Sequence, residues 1–195
     1  MPSIRTLACA ILGGLTAAEG TFALQRWKAR RDLYNQAASR AAALGRPLVV
    51  VGDPDAGAHT RLHRAYGCGD LCVDLRGCPR CPVVQVADIG AGPVPGVDDD
   101  AAVVFVSCVL EYVEDAPAAV RELERMAGSP ENLFAVSVQP WTMTAALYPG
   151  ARWTAVRDTE QVNLTPVSRS RKAVTAGALA GLCAAALWPS GTRKS

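Results

Sequence analysis

Neither sign of charge dominates this chain of 195 residues, in which 20 lysines and arginines stand against 18 aspartates and glutamates, a net charge of +2. So even a balance builds no field strong enough to hold a polyanion, and no nucleic-acid partner is expected. Aromatic residues are also scarce, at 6%, and there are two histidines, His59 and His63. Cysteine is plentiful, but its count of seven is odd. Several cysteines fall in segments that read as strands, which points to a reducing compartment rather than a disulfide framework. Apolar bulk is what the chain does have. Half of its residues are apolar, enough for one domain with a buried core plus appendages and unlike a disordered chain.

The apolar residues are concentrated at both ends. Residues 4 to 24, IRTLACAILGGLTAAEGTFAL, carry a single charge, Glu19, between Arg5 and Arg26. As a helix that run matches a hydrocarbon core of roughly 30 Å. Arg26, Lys28, Arg30 and Arg31 follow at once, and by the positive-inside rule they put the downstream chain in the cytosol. Ala10, Gly14 and Ala18 stand at the small-xxx-small spacing that lets helices approach closely. A cleaved signal peptide, with Thr16 and Ala18 before the cut, is the competing reading, but the basic stretch opposes translocation. Residues 1–25 are therefore assigned as a membrane anchor, and 26–46 as a juxtamembrane helix stopped by Gly45 and Pro47. At the other end, 169–195 hold an apolar stretch from Ala173 to Trp188, with Gly177 and Gly181 as a GxxxG and Arg169, Arg171, Lys172, Arg193 and Lys194 as flanks. That stretch is a little short for a span, so a second membrane segment and an Ala-rich soluble helix both fit it.

Between the ends, 47–168 read as strands alternating with helices. PLVVVGDPDAG is a buried strand, Leu48 to Val51, breaking at Gly52 into a polar turn, and the residues from Ala58 to Tyr66 can form a helix. Further strands are expected to end near Asp74, to run over Val83–Ala87 with Asp88 at the tip, and to cover Ala102–Cys108 and Leu133–Val138. A short one is placed near Gln161–Thr165. APAAVRELERMAG is the clearest helix, with Pro117 in its first turn and Gly128 as its cap. Such alternation predicts an α/β fold of three layers, a mostly parallel sheet covered on both faces. A glycine turn at the carboxyl end of a parallel strand is where ligands reach the backbone of such sheets.

Over about residues 48 to 153 this order resembles a class I S-adenosylmethionine-dependent methyltransferase, of the small type 11-like kind, with its Rossmann-like sheet. The residues that carry the likeness are VVVGDPDAG, VDL with Asp74, VADI with Asp88, and DDDAAVVFVSCVLEYVEDAPAAVRELERMAG. The resemblance implies S-adenosylmethionine as cofactor. It places Gly52, Asp53 and Gly57 in the turn beside the cofactor's methionine part, Asp74 on the ribose hydroxyls and Asp88 near the adenine amino group, with Ser107 and Cys108 flooring the pocket. A carboxylate at a strand tip can accept both ribose hydroxyls, and glycine removes a Cβ that would meet the ligand. The chain departs from the family in two places. Asp53, Pro54, Asp55 and Ala56 stand where glycines usually alternate, and the final antiparallel strand pair is expected to be shortened or missing after Trp153, a C-terminal truncation.

No catalytic residue is assigned, because methyl transfer chiefly needs an acceptor held in line with the sulfonium. The acceptor, whether small molecule, lipid or protein, is not encoded in any motif. His59, His63, Cys78 and Cys81 form an alternative zinc set, although their spacing matches no standard finger and the primary reading assigns no metal. Glu111, Glu114 and Asp115 read as capping and solvating the next helix. WTMTAALYPGARW, with Trp141, Tyr148 and Trp153, is a lid or a membrane-interface surface. A membrane-tethered methyltransferase-like protein is the leading expectation. A catalytically inactive scaffold of the same fold and a zinc-stabilised binding protein are the alternatives.

Overall fold

The computed structural model describes residues 3–56, 64–136, 152–157, 162–167 and 169–187. Helix α1 runs unbroken over Ile4–Leu44, 41 residues or about 60 Å. The two segments expected as anchor and juxtamembrane helix are thus one rod. Ser3 caps its start by accepting from the Thr6 amide, and Gly45, at φ 63°, ends it in the left-handed turn that satisfies the last carbonyls. Its apolar half is long enough to cross a membrane and only 6% buried within the chain.

Five parallel strands follow: β1 (Leu48–Val51), β2 (Leu71–Asp74), β3 (Val84–Val86), β4 (Val103–Ser107) and β5 (Leu133–Val136). They form one sheet in the order β3-β2-β1-β4-β5. In register, Val50 lies between Cys72 and Phe105. Every residue of β1 and β4 is buried, as expected for strands covered on both faces. Strand periodicity divides their side chains. Leu48, Val50, Val103 and Phe105 face Ala37 and Ala41 of α1, whereas Val49, Val51, Val104 and Val106 face Leu123 and Met126.

Those two belong to helix α2 (Ala116–Ala127), whose N-cap Asp115 accepts from the Ala118 amide and whose C-cap is Gly128. The expected mostly parallel α/β architecture is therefore present, with helices on both faces of the sheet. One expectation is corrected. A terminal antiparallel pair does exist: β6 (Trp153–Arg157) and β7 (Val162–Pro166) pair with each other as a separate two-stranded sheet, and Val162 and Leu164 pack against the α2-side core. Helix α3 (Arg169–Leu187) then lies along α1. The helix expected from Ala58 lies outside the described residues up to 63, and 64–66 are not helical. Residues 141–151 of the expected lid segment are likewise outside them.

Candidate functional site

The carboxyl ends of the strands gather the polar residues singled out in the sequence. Gly52 leaves β1 at φ 104°, and its amide donates to the Val73 carbonyl at 2.8 Å. A Cβ there would stand 2.7 Å from Val109 Cγ2 and 3.1 Å from the Ser107 carbonyl oxygen. The glycine thus lets the β1 turn sit against the chain leaving β4.

Asp53 donates its amide to Asp74 Oδ2 at 3.2 Å and accepts the Asp55 amide at 2.9 Å. Asp55 is in turn gripped by Arg64 through two contacts, one of them Nε to Oδ1 at 2.7 Å. That guanidinium holds the Asp55 carboxyl below its ordinary range. The turn after β1 is therefore a knot of hydrogen bonds closed by an arginine. Asp74 ties it to the next turn, because its Oδ1 accepts the Arg76 amide at 2.8 Å. Asp88 stands at the tip of β3, exposed, and accepts from the amide of Gly90. Gly57 lies outside the described residues, as do His59, His63, Trp141 and Tyr148.

At the end of β4 the chain is unusual. Ser107 is buried and Cys108 takes a left-handed φ of 53°, a conformation that costs a non-glycine residue energy. Arg30, reaching down from α1, donates from Nη2 to Cys108 Sγ at 2.8 Å. Burial pushes the Cys108 thiol up to about 11, helped by the charge of Glu111 and opposed by Arg30. Burial also lifts Tyr66 to about 12, against the influence of Ser107 and Arg30. For Arg30, burial works against the charge, but Cys108, Tyr66 and Glu111 outweigh it and the pKa rises. Glu111 is 3% exposed, so it does not solvate the helix that follows; Asp115 alone plays the capping role. The Glu111 carbonyl receives the amides of Arg152 and Trp153 at 2.7 and 3.4 Å, mooring the start of β6 to the chain that leaves β4.

Arg30 and Tyr66 are the site residues that sequence reasoning missed. Arg30 counted only as a flanking charge. A signal was present, however: positions 30, 34, 37 and 41 fall on one helix stripe, and Tyr34, Ala37 and Ala41 of that stripe pack on the sheet. Tyr34 meets Phe105 edge-on at 5.5 Å between centroids, and Phe105 meets Tyr66 at 5.1 Å.

The cysteines overturn one expectation. Cys68 is bonded to Cys81 and Cys72 to Cys78, so the cluster is a disulfide framework in this structure, not a set of reduced thiols. Of the alternative zinc set, His59 and His63 lie outside the described residues, and Cys78 and Cys81 are each bonded to a cysteine outside the set. Spacing within a strand did not forbid the pairing, because β2 carries Cys72 inward and the chain turns back to meet it.

The molecule is thus an α/β protein with a five-stranded parallel sheet, a polar cluster at the strand ends and a helix long and apolar enough to span a bilayer. No family model, curated protein or solved structure matches the chain.

Proposed function

We propose that this chain is a membrane-tethered, S-adenosylmethionine-dependent methyltransferase-like protein whose crevice opens toward the bilayer. The observation that carries the reading is the β3-β2-β1-β4-β5 parallel order, with Asp74 at the end of β2 joined to the β1 turn. That order reverses beside β1, and the crevice outside such a switch point is where Rossmann-like sheets take nucleotides. A carboxylate offers about four lone-pair positions, so Asp74 retains capacity for ribose hydroxyls beyond the two amides it accepts. Asp88 is exposed at the neighbouring strand tip. The nucleoside end of the cofactor therefore fits the residues present.

The methionine end fits less well, since Val109 occupies the space beside Gly52. This favours a second reading, a non-catalytic module that keeps the fold at a membrane. Under the first reading, the direction of α1 points to the acceptor. Arg46 pairs with Asp100 ahead of β4 and Arg30 with Cys108 beyond its end, so α1 runs antiparallel to the strands and emerges over their carboxyl ends. Leu24 lies only about 9 Å further along the axis from Arg30. A crevice so close to the apolar half is suited to an acceptor drawn from the membrane, and the basic residues Arg26, Lys28 and Arg31 favour its cytosolic side.

Calorimetric titration of the full chain in detergent with S-adenosylhomocysteine tests the proposal. Saturable binding that Asp74→Ala weakens tenfold or more is expected, because two lost hydrogen bonds are worth about 1.5–3 kcal/mol. Absence of any binding heat, with the far-ultraviolet spectrum of a folded protein, leaves the non-catalytic module standing instead.

A further inference from the structure

We propose that Cys68, Cys72, Cys78 and Cys81 form one convertible site, closed as two disulfides when oxidised and as a zinc tetrathiolate when reduced. The backbone assembles the four sulfurs from a short stretch of chain. Cys72 sits in β2, fully buried. After Asp74 the chain reverses, the Gly77 amide donating to the Asp74 carbonyl at 3.2 Å, and this brings Cys78 back against Cys72. The Cys81 amide then donates to the Cys78 carbonyl at 3.0 Å, folding Cys78-Pro79-Arg80-Cys81 into a tight turn that presents both sulfurs together. The sulfurs of Cys72, Cys78 and Cys81 all lie within 4.8 Å of one another, and that of Cys68 is bonded to Cys81.

Three sulfurs thus stand at the spacing of a metal site, and the fourth, that of Cys68, is bonded to one of them. Zinc–sulfur bonds of about 2.3 Å in a tetrahedron set sulfur–sulfur edges of about 3.8 Å. Exchanging two S–S bonds for four Zn–S bonds asks the sulfurs to regroup around one ion, with Cys68 drawn in beside its partner Cys81. Four thiolates are the donor set that favours zinc and closes its coordination. The resulting site carries two net negative charges, and Arg64 Nη1 already stands 3.8 Å from Cys68 Sγ. Because Cys72 and Cys78 bracket Asp74, either state pins the loop that holds that carboxylate.

The chemistry balances with a dithiol as reductant. Each of two dithiols gives two electrons and two protons to one protein disulfide and becomes a disulfide itself, leaving four cysteine thiols in all. Zinc then displaces four protons and forms four Zn–S bonds. Oxidation by a disulfide or by a diazene such as diamide reverses both steps and releases the metal.

The test uses full-length protein in detergent, reduced with dithiothreitol, freed of reductant under anaerobic conditions and titrated with Co²⁺ and then Zn²⁺. One equivalent of cobalt should give the visible absorption of a tetrahedral thiolate site, and zinc should bleach it. Four thiols should become protected from alkylation while zinc is bound. Diamide should then release the zinc and remove four hydrogens from the intact mass. Cys68→Ser and Cys81→Ser, at the less buried side of the cluster, should abolish the spectrum, whereas Cys183→Ser should leave it intact. Should Cys72→Ser fail to fold, those two variants still decide the matter. Reduced, folded protein that binds no cobalt overturns the proposal, as does a thiolate spectrum that survives both substitutions. Zinc stoichiometry is independent of methyl transfer, so failure of the functional reading leaves this inference untouched.

Discussion

Gly52 shows how much one missing Cβ decides. At φ 104°, with Val109 Cγ2 2.7 Å from the Cβ position, alanine would meet both backbone strain and a collision. Gly52→Ala should lower unfolding free energy by about 1–3 kcal/mol, read from urea denaturation of the full chain in detergent. Cys108 is governed by burial instead. A thiol raised to about 11 holds roughly a hundredfold less thiolate near pH 8 than an ordinary one. Alkylation of folded Cys108 should therefore stay slow until the pH approaches 11, while the same cysteine in urea reacts readily near pH 9. The sign for stability follows from the same shift. The folded state binds this proton more tightly than the unfolded chain does, so the contribution is intact below the unfolded pKa and is lost as pH rises toward 11.

Among the elements, α2 is held by an arginine as well as by its apolar face. Arg125 reaches Glu122 twice, at 2.8 and 2.7 Å, Asp99 at 2.6 Å and the Val97 carbonyl at 2.9 Å. Glu122, 7% exposed, also accepts the Val94 amide at 2.8 Å, so the pair clamps the loop between β3 and β4 to the helix. Arg125→Ala would strand a buried carboxylate. Partial exposure of the arginine reduces the cost below that of a fully buried pair, to about 1–3 kcal/mol. Thermal unfolding of Arg125→Ala, Glu122→Ala and the double variant should show the two losses to be less than additive, because the carboxylate matters most when its cation is missing. The strands of the parallel sheet and β7 were legible in sequence to within a residue or two across the described residues, whereas β6 was not expected. Apolar runs such as LVVV and VVFVS are set off by Pro47 and Gly52 or by the acidic turn at Asp98–Asp100, and those punctuation marks act locally. The continuity of α1 was less legible, because its pattern changes from uniformly apolar to striped near Arg26 although nothing breaks the helical backbone before Gly45.

For the molecule as a whole, α1 does two jobs that divide along its length. Its first half exposes Ile4, Leu7 and Leu24, whereas its second half covers Val50, Val103 and Phe105. Each of those three side chains gains about 1.5–3 kcal/mol from burial. A chain lacking residues 1–25 should therefore keep a single cooperative unfolding transition in detergent. One lacking residues 1–45 should lose it, as followed by circular dichroism against urea. If both truncations unfold alike, the division of α1 into an apolar half and a sheet-covering half is wrong.

The sequence by itself determined the strands of the parallel sheet, the caps at Gly45, Asp115 and Gly128, and a terminal run of membrane-spanning length. All of these depend on propensity and hydrophobic period within a few neighbouring residues. Only the tertiary structure decided that Arg30 would meet Cys108 across 78 residues, that Glu111 would be buried, and that β6 and β7 would form a sheet of their own. It likewise decided which cysteines would pair. These are contacts between segments brought together by packing. Which atoms meet there depends on how α1, the sheet and α2 share one core, and no local window of sequence contains that information.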